Sequence, residues 1–335
     1  MKHGNISVFV PHNGCPHQCS FCNQKSITGV QYQPTPEDVD NAVYTALAFQ
    51  KKYDYEIAFF GGSFTAINRE YMLSLLNAAY KYVKSGDVRG IRLSTRPDAI
   101  DREVLDILKS YGVTSIELGA QSMCDEVLSA NLRGHTSDDV ANSSRLIKEY
   151  GFSLGLQMMT GLYKSSYDRD VYTAKRIIEL APETVRVYPT ITLGGTMLGD
   201  LYLKGEYIPQ TLDESVDLCA LLLKMFWKNN IEVIRLGLHY SEDLKKGMLF
   251  NNYHPAFKEL CESKIFIDEF RKQFGIDENA CFNESVNVTV SINPKSVSKF
   301  VGQGRENIKR LALQGINVNI VQDNDIALYG LKIVG

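Results

Sequence analysis

The run Gly14-Cys15-Pro16-His17-Gln18-Cys19-Ser20-Phe21-Cys22-Asn23 sets three cysteines in the spacing C-x3-C-x2-C. Three thiolates on one short loop can hold three irons of a cubane cluster, which ordinarily takes one cysteine per iron. No fourth cysteine stands nearby, so one iron would keep an open position for chemistry. His12 and His17 lie beside the same cysteines, and three cysteines with one histidine also make a tetrahedral zinc site. The triplet alone leaves both metals open.

Such a loop needs a rigid scaffold. Runs at Ile6–Val10, Glu56–Phe60, Ile91–Thr95, Ser115–Leu118, Leu154–Met158, Val185–Tyr188 and Glu232–Leu236 read as strands. Between them, residues 36–50, 69–85, 102–110, 137–150, 168–180 and 213–228 repeat apolar residues at helical spacing. Thr35-Pro36-Glu37 offers a cap followed by proline at the first helical position. Asp101-Arg102-Glu103 sets acid at a positive helix end. This alternation predicts a parallel sheet. Because the cysteines and the later glycine and polar runs all follow strands, a partial (β/α)6 TIM-like barrel with its site at the carboxyl mouth is expected. Beyond residue 240 the pattern changes to helix 256–274, strand 285–292, helix 305–314 and strand 318–321. The expected domains are therefore 1–240 and a small α+β unit at 241–335.

With 335 residues, 44% of them hydrophobic, the chain can fill a real core. A net charge of −3 gives no global basic signature, so any nucleic-acid contact must rest on a local patch. No run approaches the roughly 18 apolar residues that span a bilayer. The start Met1-Lys2-His3-Gly4-Asn5 lacks a secretory pattern, and Cys124, Cys219, Cys261 and Cys281 are scattered as reduced thiols would be. A cytoplasmic protein without membrane contact is expected. Cys261 and Cys281 could start a second metal site, but no spaced histidine or cysteine completes it.

Phe59-Phe60-Gly61-Gly62-Ser63-Phe64-Thr65 follows the second strand, and Phe21 precedes the last cysteine of the triplet. With the triplet itself, these features resemble radical S-adenosylmethionine (radical SAM) enzymes. Ser94-Thr95-Arg96-Pro97-Asp98, Leu118-Gly119-Ala120-Gln121-Ser122, Asn131-Leu132-Arg133-Gly134-His135-Thr136 and Val185-Arg186-Val187-Tyr188-Pro189-Thr190 resemble the Elongator catalytic-subunit branch of that family. The resemblance implies a [4Fe–4S] cluster on Cys15, Cys19 and Cys22, with S-adenosylmethionine at the free iron. Phe21, Gly61, Gly62, Ser63, Gln121 and Arg133 would then bind the cofactor. The Gly61-Gly62 backbone would meet the methionyl amino group, Gln121 the ribose and Arg133 the carboxylate, which suits a bidentate donor. Ser63 stands where the family often has an acid, which weakens a side-chain contact to the ammonium. The resemblance further implies a 5′-deoxyadenosyl radical, an external electron donor of the flavodoxin or ferredoxin class, and an RNA substrate, a tRNA base. About 95 residues beyond 240 are too few for the acetyltransferase domain of that subunit, so acetyl-CoA is not expected as donor.

Arg96, Tyr188 and His135 are candidates for substrate or proton chemistry. Arg96 could equally pair with Asp98, His135 could be structural, and Tyr188 could pack half-buried. Arg186 and Tyr188 alternate with Val185 and Val187, so one pair should face the barrel mouth and the other the packing layer. Met158 could meet the adenine or the core. In the tail, Ser298-Lys299-Phe300-Val301-Gly302-Gln303-Gly304-Arg305-Glu306-Asn307-Ile308-Lys309-Arg310-Leu311 is similar to the glycine loop and helix of KH RNA-binding modules. Lys299, Arg305, Lys309 and Arg310 would supply charge, although Arg305 replaces the second glycine of G-x-x-G. Two other functions fit parts of the pattern: a radical SAM enzyme on a small molecule or peptide, and a zinc-stabilised RNA-binding protein without catalysis.

Overall fold

The computed structural model describes residues 2–11, 18–23, 32–49 and 53–334. Contacts group Met1–Gln210 with Asn229–Asn251 as one compact unit, and Thr211–Lys228 with Asn252–Gly335 as another. Helix Leu212–Lys228, which the sequence sets among the barrel helices, belongs to the second unit. There Lys224 pairs with Glu269 at 3.1 Å and Trp227 meets Tyr329 edge-on, 5.4 Å between ring centres.

The first unit is built on seven parallel strands in sequential order: β1 (Lys2–Val10), β2 (Tyr53–Gly61), β3 (Gly90–Thr95), β4 (Val113–Gln121), β5 (Ser153–Thr160), β6 (Thr184–Pro189) and β7 (Glu232–Leu236). This is the curled half-barrel that the βα alternation predicts, with a seventh strand completing the run. Helices Pro36–Phe49, Arg69–Ser85, Arg102–Ser110, Ser137–Glu149 and Tyr167–Glu179 connect the strands. The sequence caps act as read: Thr35 Oγ1 accepts from the Asp38 amide at 3.3 Å and Asp101 from the Val104 amide, and Thr136 with Asp139 adds a reciprocal capping box that the sequence reading did not name.

Alternation separates two faces of each strand. Ile57, Phe59, Ile91, Leu93, Ile116, Leu118, Leu154, Leu156, Val185 and Val187 form the buried apolar layer. Met158 is fully buried on this same face, so it belongs to the core rather than to the mouth. The opposite face carries Glu56, Arg92, Glu117, Gln157, Arg186 and Tyr188. Arg186 and Tyr188 are thus the pair that leaves the packing layer, whereas Val185 and Val187 enter it.

The inner face is held by ions. Glu117, 1% exposed, accepts from Arg186 through both carboxylate oxygens and from Gln157 at 3.3 Å. Arg92 lies between Glu117 at 3.5 Å and Glu56 at 3.7 Å. Glu56 also accepts from Thr114 at 2.6 Å. Gly155 makes room for this arrangement, because a Cβ there would lie 2.8 Å from Glu117 Cγ and 3.0 Å from Thr184 Oγ1.

In the second unit, β8 (Val286–Ile292) pairs in parallel with β9 (Ile316–Gln322) and antiparallel with β10 (Leu331–Ile333). Helices Val297–Val301 and Glu306–Leu313 connect β8 to β9, and helix Phe257–Phe274 packs its Phe266 and Phe270 into the same core. No helix among the described residues is long and apolar enough to cross a membrane.

Gly155→Ala should destabilise the protein by about 1–3 kcal/mol, because Glu117 is fixed by Arg186 and cannot yield. Gly194→Ala, whose new Cβ would meet nothing closer than 3.7 Å, should stay within about 0.5 kcal/mol of wild type. Urea unfolding of the two variants checks the difference.

Candidate active site

The carboxyl ends of β1 to β4 bring the sequence motifs together. Cys15, His12 and His17 lie outside the described residues, whereas Cys19, Phe21 and Cys22 lie within them. The Cys22 amide donates to the Cys19 carbonyl at 3.1 Å, closing a tight turn that carries both thiols. Between them Ser20 is fully buried and locked. Its amide donates to the Asn131 carbonyl at 3.1 Å, and its hydroxyl donates to Asn131 Oδ1 at 2.6 Å. The Asn131 amide group donates to the Val127 and Tyr163 carbonyls at 2.8 and 2.9 Å, so the side chain cannot swing away. On its other side, the Ser20 carbonyl accepts from the Leu198 amide at 2.8 Å.

Arg133 reaches the same loop. One terminal nitrogen donates to Cys19 Sγ at 3.0 Å and the other to the Gly119 carbonyl at 2.7 Å. Arg96 supports it by donating to the Arg133 carbonyl at 3.1 Å while pairing through Nε with Asp98. Of the two sequence alternatives for Arg96, the structure shows the pairing with Asp98, and it adds a bond to the backbone of the candidate cofactor residue Arg133.

Gln121 ends β4 with φ +62°, a conformation that few non-glycine residues adopt. Gly119 lies where Gln121 and Arg133 cross; a Cβ there would be 3.1 Å from Gln121 Nε2 and 3.4 Å from the Arg133 guanidinium. After β2, Gly61 has φ +115°, and a Cβ on it would come within 2.9 Å of the Val10 carbonyl. The Gly62 amide donates to that carbonyl at 2.8 Å, so this turn is tied to the strand that leads into the cysteine loop. Ser63 is buried behind it.

These residues fit the group that the sequence implies. Cys19 and Cys22 share one turn, and Gln121 Oε1 and Arg133 Nε are buried without a hydrogen-bond partner. A ligand with a donor and an anionic group would satisfy both. Among the described residues no three histidine, cysteine or acidic side chains cluster as a metal site, and Cys261 is buried while Cys281 is exposed. Ser20 carries no role in the sequence reading, nor does Asn131 beyond its place in a motif. Their only signal was a serine inside the cysteine loop and an asparagine two residues before Arg133.

In the tail, Lys299 is committed to its own unit, donating to Glu262 at 3.0 Å and lying over the Tyr329 ring. It does not supply free charge as the sequence suggests. Arg310 pairs with Glu306, whereas Arg305 and Lys309 are exposed. Gly302, Gly304 and Arg305 all have positive φ, forming a sharp loop between two helices.

His135 is buried and directs Nε2 at the Ala120 carbonyl, 3.2 Å away; since a carbonyl only accepts, that nitrogen carries the proton. Burial, reinforced by the Arg133 charge, pushes its pKa down to about 4 from the ordinary 6.5. The unfolded chain therefore binds a proton that the folded chain refuses, and stability should fall as pH drops from 6.5 through 4. The loss attributable to His135 is about 3 kcal/mol. Asp170, raised to about 6 chiefly by burial, acts in the opposite sense over an overlapping range. The difference between wild type and His135→Phe in urea unfolding across this range isolates the histidine: the variant should show the shallower decline.

Comparison with known proteins agrees with this geometry. Residues 9–194 match the radical SAM superfamily, and residues 182–266 match the radical SAM C-terminal domain. The tRNA uridine(34) acetyltransferase of Dehalococcoides mccartyi is 25% identical over 61% of this chain and 52% of its own length. Elongator complex protein 3 of Dictyostelium discoideum is 29% identical over 66% of this chain and 45% of its own. The chain thus spans about half the length of these relatives. The solved structure of archaeal Elp3 from Methanocaldococcus infernus shares the fold, with a TM-score of 0.62 and 20% identity over 83% of this chain and 65% of that one. With more than half of its residues matched by the superfamily pattern, the chain belongs to the radical SAM superfamily and is an enzyme of that class.

Proposed function

We propose that Cys15, Cys19 and Cys22 hold a [4Fe–4S] cluster, that Gly61, Gly62, Gln121 and Arg133 bind S-adenosylmethionine, and that the substrate is RNA, in particular a tRNA base. The observation that carries the first two parts is Arg133, which joins the Cys19 sulfur to the end of β4 beside Gln121. A reduced cluster held by these cysteines would supply the electron for reductive cleavage of the sulfonium of bound S-adenosylmethionine.

The chain's own groups do the positioning. Asn131 fixes the cysteine turn through Ser20. Arg133 retains Nε for a carboxylate, its two terminal nitrogens being held by Cys19 Sγ and the Gly119 carbonyl. An ammonium only donates, so the carbonyls of that turn are the groups it would meet, the Gly62 amide being committed to Val10. The absence of side chains there allows close approach. In this reading residues 1–240 carry the radical chemistry and 241–335 an α+β unit with a KH-like loop, with helix Leu212–Lys228 grouped with the latter. An external flavodoxin- or ferredoxin-class protein provides the electron.

The RNA part rests on the relatives, two of which are named for tRNA uridine(34) or Elongator. It is supported by the glycine loop between two helices with Arg305 and Lys309 exposed beside it. The superfamily match favours the cluster over zinc at the cysteines.

Anaerobic reconstitution with iron and sulfide, followed by dithionite and S-adenosylmethionine, should yield 5′-deoxyadenosine from wild type and at least 100-fold less from Cys19→Ala. Undiminished cleavage by that variant would sink the cluster assignment. For RNA, Arg305→Glu with Lys309→Glu should weaken tRNA binding and reduce the slope of log affinity against log salt by about 2. An unchanged slope in filter binding would remove the tail from RNA recognition.

A further inference from the structure

Strand β1 forms one edge of the seven-stranded sheet and pairs with β2 in an unbroken register from Lys2 to Val10. The Val10 carbonyl accepts from the Gly62 amide, one residue past its register partner Gly61, so Val10 turns its main-chain groups toward β2. Successive residues of a strand point these groups to opposite edges. Ile6 and Val8 therefore serve β2 as Val10 does, and Asn5, Ser7 and Phe9 direct their N–H and C=O groups to the open side. Among the described residues nothing bonds to those groups. Nor does the edge carry a device that would close it, since from Asn5 to Val10 there is no proline, no charged side chain and no bulge.

Beside this edge lies an open cavity of about 510 Å³ between β1 and helix Pro36–Phe49. The helix lines it with Asp38, Asn41, Ala42, Thr45 and Ala46, which recur three and four residues apart and so form one stripe. Ala42 and Ala46 leave room for side chains that enter over them. Ser7 and Phe9 line the strand side, and Phe9 is 38% exposed. The alternate residues Ile6 and Val8 are buried on the helix side of the sheet, so a strand laid along β1 would continue their apolar layer with every second residue. Outward main-chain groups at strand spacing, with a helix stripe beside them, are the complement of an extended polypeptide.

Charge selects among the chains that could lie there. The helix carries Glu37, Asp38 and Asp40 and no lysine or arginine. Asp40 is paired with Lys81, whereas Glu37 is exposed one turn before Asn41. This acid opposes a phosphate backbone. In a dimer built by pairing two β1 strands it would meet the same acidic helix of the second copy, which offers no base in return. A peptide with a basic residue suits it. We propose that the groove between β1 and helix Pro36–Phe49 binds an extended segment of a partner protein as an added strand beside β1, with apolar residues at alternate positions over Ala42 and Ala46 and a basic residue toward Glu37. The site is independent of the cluster and RNA assignments.

The full-length protein is titrated into a rhodamine-labelled Arg-Val-Thr-Val-Ser-Val-amide peptide and followed by fluorescence polarisation. Saturable binding at one site per chain is expected. Ser7→Pro deletes an outward N–H that β2 does not use, and Ala46→Phe fills the groove from the helix side; each should weaken binding at least tenfold while urea unfolding shows a folded protein. Two N-methylated peptides give the signature of strand pairing. Methylation of the residues that face β1 should abolish binding, and methylation of the alternate set should be tolerated. No saturable binding by wild type, or an affinity unchanged in both variants, would overturn the proposal. So would binding of oligouridylate that Ala46→Phe abolishes, which would make the groove a nucleic-acid site, or a dimer in sedimentation velocity that Ser7→Pro dissociates, which would make the occupant a second copy.

Discussion

A buried carboxylate, Glu117, fixes the interior of the half-barrel. On a central strand at 1% exposure it is tolerable only because Arg186 brackets both oxygens while Arg92 and Gln157 approach from β3 and β5. Burial opposes the Arg186 charge, and the bonds and charge of Glu117 more than offset it, holding the guanidinium protonated far above neutrality. Removing one member of such a pair typically costs about 3–5 kcal/mol, since the other charge is left uncompensated. The network therefore sets the register of β3 to β6 from the inside, and it requires glycine at 155. The motifs that end β3 and β4, with Arg96 and Gln121, lie on the strands this network joins.

The mouth is assembled by contacts far apart in the chain. The cysteine turn does not stand on its own: Ser20 is held by Asn131 from the loop after β4 and by Leu198 from the helix after β6. Arg133 then ties Cys19 to Gly119, and Arg96 ties Arg133 to the loop after β3. A side chain gripped from three directions has little freedom left to lose when a ligand arrives, which is the physical content of preorganisation. Gln121 and Gly61 depart from ordinary strand geometry at this place, where close approach matters most.

The second unit solves a smaller problem. Its βααβ segment buries Phe300, Leu311 and Ile316 on one side, while Lys299 reaches inward to Glu262 and Tyr329. The glycine loop at 302–305 is the sharp connection that this packing demands; a Cβ at Gly302 would lie 2.8 Å from Ser263 Oγ. Arg305 and Lys309 remain outward.

The sequence alone determined the succession of strands and helices, the caps at Thr35 and Asp101, and the order of motifs after β1 to β4. All of these are local: periodicity of 2 or 3.6 and capping chemistry act between neighbours and are readable without a fold. It also showed charges in the middle of apolar strands, at Glu56, Arg92, Glu117 and Arg186, but not their partners. Only the tertiary structure decided that Glu117 meets Arg186, 69 residues away, and that Asn131 grips Ser20 across 111 residues. It likewise decided that Lys299 turns inward and that helix Leu212–Lys228 joins the second unit. Those pairings depend on strand register and on which faces close together, quantities set by the whole packed sheet and by no spacing along the chain.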